Sequence, residues 1–281
     1  MKVAIIGASG FIGGYLFNFF EKERFDTVGT YFRHYNNSKY IHLDATNFDT
    51  VSDFVFSEKP DFLILTAANK NVQDCEVNHE QAYQINVKPI ENIVKCLSRS
   101  DTLTKSIFFS SDYVFDGERG NYHDNDIPNP TTNYGKTKLI AEKILLTSSL
   151  DFKIVRTSAV IGSGSQFYDW LLNELQSKPG INAFSNVFFT PTPIDVLLNG
   201  ILCLMNNWAK IGQKTLHIVG NRKMSRYEFC LGVKNLSKKY LAKIIAEEVD
   251  FSKVTLKKDL SLICSDAFSQ NNCRIIFDYL E

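Results

Sequence analysis

Apolar residues along this chain fall into two alternating rhythms. Short runs of strand length, at residues 3–6, 27–31, 62–66, 106–110 and 153–156, are separated by longer stretches, at 11–20, 82–97 and 137–146, where apolar positions recur at helical intervals. Strands alternating with helices predict a parallel sheet covered on both faces, because each crossover has to return over the sheet before the next strand begins. The expected fold class is α/β, a Rossmann-type doubly wound parallel sheet followed by a smaller C-terminal domain. After about residue 160 the rhythm loosens: Gly162 and Gly164 mark a loop, 167–175 and 194–205 read as helices, 190–193 as a Pro-rich turn and 215–219 as a strand. The pattern thus divides into a first domain over 1–160 and a second region over 161–281, with the segments at about 187–220 returning to the first domain. No internal repeat or low-complexity segment interrupts it.

Charge and cysteine usage narrow the classes further. The 281 residues carry 31 Lys plus Arg and 31 Asp plus Glu, so bulk electrostatics draws the chain to neither nucleic acid nor a membrane surface. No run approaches the roughly 18 consecutive apolar residues of a membrane-spanning helix. Met1-Lys2 leads straight into an apolar strand and glycines, without the apolar core and small-residue cleavage site of a secretory signal. The six cysteines, Cys75, Cys96, Cys203, Cys230, Cys264 and Cys273, form no C-x-x-C pair. Such scattered thiols are expected as small buried hydrophobes in a reducing, cytoplasmic compartment. The five histidines are isolated, and no metal site is expected.

The chemistry concentrates at two strand ends. Residues 3–6 run into Gly7-Ala8-Ser9-Gly10-Phe11-Ile12-Gly13, a G-x-x-G-x-x-G spacing followed by a helical pattern. In such a loop Gly7 makes the turn, Gly10 lets backbone approach a pyrophosphate and Gly13 permits close packing of helix on sheet. The helix N-terminus offers free N–H groups and the positive end of its dipole to phosphate. About twenty residues on, where an acidic residue would hold the ribose hydroxyls of NAD, stands Arg33. An Arg pairs with a 2′-phosphate through charge-assisted hydrogen bonds, which favours NADP(H) over NAD(H). The first domain is therefore expected to bind NAD(P) and the second region to bind substrate.

The run 106–110 leads into Ser111, at the carboxyl end of an expected strand, where open α/β sheets bind ligands. Further on comes Tyr134-Gly135-Lys136-Thr137-Lys138, which puts a phenol and an ammonium four residues apart on one helix face. A free phenol titrates near pH 10, so proton exchange at neutral pH needs a positive charge beside it. Lys138 supplies that charge, and Ser111 would hold the reacting oxygen within hydrogen-bond reach of Tyr134.

Together these residues resemble the dTDP-4-dehydrorhamnose reductase-like branch of the extended short-chain dehydrogenases/reductases. The likeness rests on SSDYVFDG, PNP, YGKTK and a closing Ala-Glu between Ser110 and Glu142, on GASGFIG, on Leu43-Asp44-Ala45-Thr46, on Ala67-Ala68, on Ile85-Asn86-Val87 and on Arg156-Thr157-Ser158. It implies reduction of the 4-keto group of a nucleotide-linked deoxysugar with NADP(H), in polysaccharide biosynthesis, with Ser111, Tyr134 and Lys138 as catalytic residues. It further implies Phe11 and Ile12 against the pyrophosphate, Asp44 and Ala45 near the adenine, Ala67, Ala68 and Asn69 along the nicotinamide ribose, and Tyr134 and Lys138 in contact with the cofactor as well. Val72, Tyr113 and Ala159 would line the sugar pocket with Ser111 and Tyr134; at Ala159 the family carries a Trp, so the pocket is larger. A homodimer is left open. Some positions have a plainer reading: Asp44 also suits a turn, Asn86 a buried polar bridge, and Phe167, Tyr168 and Trp170 a core cluster rather than a platform for a nucleotide base. Two other functions share this scaffold. One is a cofactor-binding regulatory subunit resembling the methionine adenosyltransferase beta subunit; the other is a nucleotide-sugar epimerase recycling tightly held NAD, against which Arg33 argues.

Overall fold

The apolar runs become strands of one sheet. The computed structural model describes residues 1–35, 37–100, 103–236 and 240–271. In chain order it contains β1 (Lys2–Ile6), α1 (Phe11–Lys22), β2 (Asp26–Tyr31), β3 (Tyr40–His42), α2 (Phe48–Glu58), β4 (Phe62–Leu65), α3 (Val72–Val77), α4 (His79–Asn86), α5 (Lys88–Leu97), β5 (Lys105–Ser111), α6 (Asn133–Leu146) and β6 (Phe152–Thr157). There follow β7 (Val160–Ile161), α7 (Gln166–Ser177), β8 (Gly180–Phe184), β9 (Phe188–Phe189), β10 (Thr192–Pro193), α8 (Ile194–Asn206), β11 (Thr215–His217), β12 (Met224–Ser225), α9 (Arg226–Asn235), β13 (Lys243–Glu247) and α10 (Asp266–Gln270).

Seven strands pair in the order β11-β6-β5-β4-β1-β2-β3, and the pairings β1–β2, β1–β4, β2–β3 and β4–β5 are parallel. Every residue of β4 and β6 is buried, as is all of β5 after Lys105. Continuous burial without alternation marks parallel strands covered on both faces, and it is why these strands show in the sequence as unbroken apolar runs. The order reverses at β1, with β2 and β3 on one side and β4 onward on the other. Ile6 stands beside Leu65, and Leu65 beside Phe108, so β1, β4 and β5 end along one edge, where such sheets open a ligand crevice.

Several helices depart from the apolar pattern. The stretch 82–97 is two helices rather than one, because Pro89 in the first turn of α5 has no N–H to continue the ladder and would clash with the carbonyl four residues earlier. Helix α2 was not expected; it is started by Asn47, whose side chain accepts from the Asp49 and Thr50 N–H groups, and it buries Val51, Phe54 and Val55.

The chain divides into two compact units. The first comprises Met1–Val114, Pro128–Arg156 and Gln213–Leu216, and the second Phe115–Ile127, Thr157–Gly212 and His217–Glu281. One core packs Ala4, Ile6, Leu63 and Leu65 with Val55, Ile93, Phe108, Leu145 and Ile154. Another packs Leu171, Leu175, Ile181, Phe189 and Phe229. No helix among the described residues is long and apolar enough to cross a membrane. Cys75, Cys96, Cys230 and Cys264 are free. Cys203 is disulfide-bonded, a departure from the expected free thiols; bridging depends on spatial approach, which sequence spacing does not reveal. Cys273 lies outside the described residues.

Candidate active site

At the end of β1 the backbone itself forms the site. Gly7 turns with φ of 95°, and Gly10 begins α1 with no side-chain cap and no acidic residue in the first turn. The first N–H groups of the helix are therefore left to an outside partner, and the dipole there favours an anion. A Cβ on Gly13 would fall 2.2 Å from the Gly7 carbonyl oxygen, so α1 approaches the strand this closely only with glycine there. Phe11 and Ile12 are half-buried in the same turn. An uncapped N-terminus on a side-chain-free loop is a cradle that fits a dinucleotide pyrophosphate.

Neighbouring strand ends frame the cradle. Arg33 is exposed just beyond β2, its guanidinium 5.6 Å from the centre of the Phe32 ring. Asp44 Oδ1 accepts from the Thr46 N–H (2.9 Å) and the Thr46 hydroxyl (2.7 Å), which closes a turn ahead of α2 beside half-buried Ala45. After β4 come exposed Ala67 and half-buried Ala68 and Asn69. The Asn69 N–H donates to Asn86 Oδ1 (2.7 Å), and Asn86 Nδ2 donates to the Asn69 carbonyl (3.2 Å) and to Thr137 Oγ1 (3.0 Å). The Thr137 hydroxyl in turn donates to the Tyr134 carbonyl (2.7 Å). Asn86 thus ties the loop after β4 to the helix that carries Tyr134 and Lys138, as a buried polar bridge does.

The third strand end holds the titratable groups. Thr132 caps α6 by accepting from the Gly135 N–H. A Cβ on Gly135 would come within 2.0 Å of the Tyr113 carbonyl oxygen, so the first turn of α6 presses directly on the segment that follows Ser111. Ser111 is buried; its hydroxyl donates to Asp112 Oδ1 (2.9 Å) and accepts from the Tyr113 N–H (3.3 Å). Tyr134 is buried, with the Tyr113 ring edge-on at 5.7 Å, in a cluster with Cys75, Ala82 and Val72. Burial pushes its phenol above the ordinary range, a hydrogen bond with Ser111 pulls it back, and the nearby Asp112 carboxylate adds to the rise. Lys138 is 3% exposed; its ammonium donates to the Phe109 carbonyl (2.6 Å) and lies 4.2 Å from the centre of the Phe108 ring. Burial lowers it to about 7, opposed by the Glu142 carboxylate.

Against known proteins, the RmlD substrate binding domain family matches residues 1–256. The chain belongs to that family. It is 29% identical over 198 residues to dTDP-4-dehydrorhamnose reductase of Aggregatibacter actinomycetemcomitans, covering 68% of this chain and 66% of that one. It is 26% identical over 239 residues to methionine adenosyltransferase 2 subunit beta of Bos taurus, covering 83% of this chain and 71% of that one. The crystal structure of a hypothetical dTDP-4-dehydrorhamnose reductase from Sulfolobus tokodaii superimposes with a TM-score of 0.85 at 29% identity, covering 99% of this chain and 96% of that one. The chain is an oxidoreductase of the extended short-chain dehydrogenase/reductase type.

Within this RmlD-family chain, Ser111, Tyr134, Lys138, Val72 and Tyr113 all fall in the first unit, and Ala159 in the second, beside the core that takes in Ile161 and Phe167. Phe167 packs on Phe229 (5.5 Å) and lies under the Arg226 guanidinium (4.4 Å), while Trp170 stacks on it and stays 44% exposed. Phe167 is therefore half-buried against that core with a cation on its face. Among the described residues no group of His, Cys, Asp and Glu side chains could hold a metal ion. Three buried polar residues went unremarked as a group in the sequence: Ser110 and Arg156 both donate to the Glu142 carboxylate, one turn along α6 from Lys138. Each stands within a motif quoted for the family likeness, but no spacing rule joins them.

Proposed function

We propose that this protein reduces the 4-keto group of a nucleotide-linked deoxysugar with NADP(H), for polysaccharide biosynthesis. The observation that supports the reading most is that the Tyr134 phenol meets the Ser111 hydroxyl where α6 follows β5, with Lys138 one turn along the same helix face, on the same sheet edge as the glycine cradle. Gly7, Gly10, Phe11, Ile12 and Gly13 hold the pyrophosphate; Asp44 and Ala45 border the adenine; Ala67, Ala68 and Asn69 border the nicotinamide ribose, with Tyr134 and Lys138 also reaching the bound cofactor; and Arg33 takes the 2′-phosphate. Bound there, the reduced nicotinamide supplies the hydride.

The chain's own residues do the rest. On substrate binding the Ser111 hydroxyl, which otherwise donates to Asp112, turns to donate its hydrogen bond to the keto oxygen and fixes it beside the phenol. Tyr134, kept protonated by burial, gives that oxygen its proton, and the Lys138 ammonium stabilises the phenolate left behind. A phenol held above its ordinary range suits a proton donor, which supports the reductive direction. Val72 and Tyr113, packed against Tyr134, contact the sugar.

The test is to incubate purified protein with NADPH and dTDP-, GDP-, UDP- and CDP-linked 4-keto-6-deoxyhexoses and follow the reduced-nicotinamide absorbance. Turnover with one of them is expected, and Tyr134→Phe should lower it by about 10²–10⁴-fold. No turnover across the panel would overturn the proposal. Similarity to methionine adenosyltransferase 2 subunit beta over 83% of the chain supports a second reading, a cofactor-binding regulatory subunit. Under that reading the protein co-elutes in fixed ratio with a methionine adenosyltransferase catalytic subunit and leaves the keto sugars untouched.

A further inference from the structure

Tyr134, Lys138 and Glu142 follow one another at intervals of four on α6 and so share one helix face. The first two belong to the proposed chemistry. Glu142 is fully buried, and both carboxylate oxygens are engaged: Oε1 accepts from the Ser110 hydroxyl (2.5 Å) and Arg156 Nε (2.9 Å), and Oε2 from Arg156 Nη2 (2.7 Å). Ser110 lies between Phe109, whose carbonyl receives the Lys138 ammonium, and Ser111. Helix α6 is thus tied to β5 twice, one turn apart on the helix and one residue apart on the strand. The bidentate arms of Arg156 extend the tie to β6. A helix held at two points on one face can neither rotate nor slide, so the phenol one turn further on keeps a fixed place relative to Ser111.

Packing alone would not require a carboxylate here. A buried ion pair is often replaceable by apolar groups of like volume without loss of stability, which points to a role beyond holding the fold. The titratable groups that act on Tyr134 are Asp112 and Tyr113, just past β5, and Cys75 on α3; the one that acts on Lys138 is Glu142 on the same helix, itself paired with Arg156 on β6.

We propose that Glu142, clamped by Ser110 and Arg156, is a positioning residue of the catalytic centre: it locks α6 in register on β5 and sets a buried carboxylate one helical turn from Lys138. The inference rests on the role assigned to Lys138 above. Burial depresses Lys138 and the Glu142 carboxylate opposes that, so loss of the carboxylate moves the lysine's titration to lower pH.

NADPH binding, followed by nicotinamide fluorescence from about pH 5 to 10, reads this without any sugar substrate. Wild type is expected to lose affinity in a step as Lys138 deprotonates, and Lys138→Met to abolish the step. Glu142→Gln is expected to move the step down by about one pH unit, and Glu142→Asp, which keeps the carboxylate, to leave it near its wild-type position. Because Glu142→Gln orphans a buried guanidinium, the double variant Glu142→Gln/Arg156→Met, checked for fold by circular dichroism, should show a displacement in the same direction, smaller by what the unpaired Arg156 charge adds. A step that Lys138→Met removes but that stays in place in both Gln variants overturns the inference and leaves the Lys138 assignment standing. If wild type has no step that Lys138→Met removes, the assignment and the inference fall together.

Discussion

The two strand-to-helix crossings at this sheet edge are built from opposite materials. Between β1 and α1 the chain offers glycine backbone, an uncapped helix N-terminus and no charged side chain. Between β5 and α6 it offers buried side chains, with Ser111, Tyr134, Lys138, Glu142 and Ser110 all hydrogen-bonded and two of them ionic. The contrast follows from the tasks proposed for each. Backbone N–H groups hold a phosphate with charge that needs no burial. Moving a proton needs a side chain that changes protonation, and burying one with its counter-charge stakes stability on pH.

The largest expected effect breaks the comparison at the charged crossing. Unfolded, Lys138 titrates near pH 10.4; folded, burial lowers it to about 7. Between those values the unfolded chain holds a proton that the folded chain has released. Lys138's contribution to stability therefore rises with pH, by at most about 1.4 kcal/mol per unit from about pH 7 to about pH 10.4, and is flat below. Tyr134, raised by burial, acts in the opposite sense above about pH 10, where the unfolded phenol ionises first. Urea melts of the cofactor-free protein at pH 7 and 9 should show the rise, and Lys138→Met should remove it while raising the melting temperature at pH 7. Equal slopes in the two proteins would mean that the ammonium is not held at a cost.

At the glycine crossing the vulnerable quantity is volume. Gly13→Ala places a methyl 2.2 Å from the Gly7 carbonyl oxygen and should cost about 1–3 kcal/mol through displacement of α1. The loss should be the same at every pH and accompanied by weaker NADPH binding. Melting at two pH values distinguishes it from Lys138→Met; a pH-dependent loss would show that the crossings are not independent.

Between the crossings lies Asn86, which bonds the loop after β4 to α6. Asn86→Ala leaves the Asn69 N–H and Thr137 hydroxyl without this partner and should cost about 1–2 kcal/mol. If the bridge transmits position, reductase turnover should fall by more than NADPH affinity does. Equal losses in both would confine Asn86 to stability.

How much of this could be read beforehand depends on whether a feature is local. β1, β4, β5 and β6 were legible because parallel strands buried on both faces leave unbroken apolar runs, and the glycine cradle because its geometry demands glycine at fixed intervals. That Asn86 would bridge two elements followed from the rule that buried polar groups are paired, but its partners, 17 and 51 positions away, could not be named. The Glu142 clamp joins residues 32 and 14 positions apart and leaves no periodic trace. Asp44 suited either a turn or an adenine contact; its bonds to Thr46 make the turn, and they leave the contact as a proposal. Helix α2 was missed although Asn47 carries an ordinary capping signal, because its apolar residues Val51, Phe54 and Val55 sit among polar neighbours.

The smallest expected effect sharpens the comparison from the solvent side. Arg33 is exposed, and its only contact among the described interactions is with the ring beside it, so little in the fold depends on it. A charge-assisted hydrogen bond contributes about 1.5–3 kcal/mol when shielded from water, and an exposed ion pair 1 kcal/mol or less. An exposed guanidinium facing a 2′-phosphate should fall between these, at about 1 kcal/mol or a little more. Arg33→Ala is therefore expected to weaken NADPH binding by about five- to tenfold, leave NADH binding and the melting temperature unchanged, and flatten the salt dependence of NADPH affinity. Parallel titrations of both cofactors at low and high salt would measure this. Equal weakening of NADPH and NADH would remove Arg33 from the recognition of the 2′-phosphate and leave the glycine cradle, which grips what the two cofactors share, without a means of telling them apart.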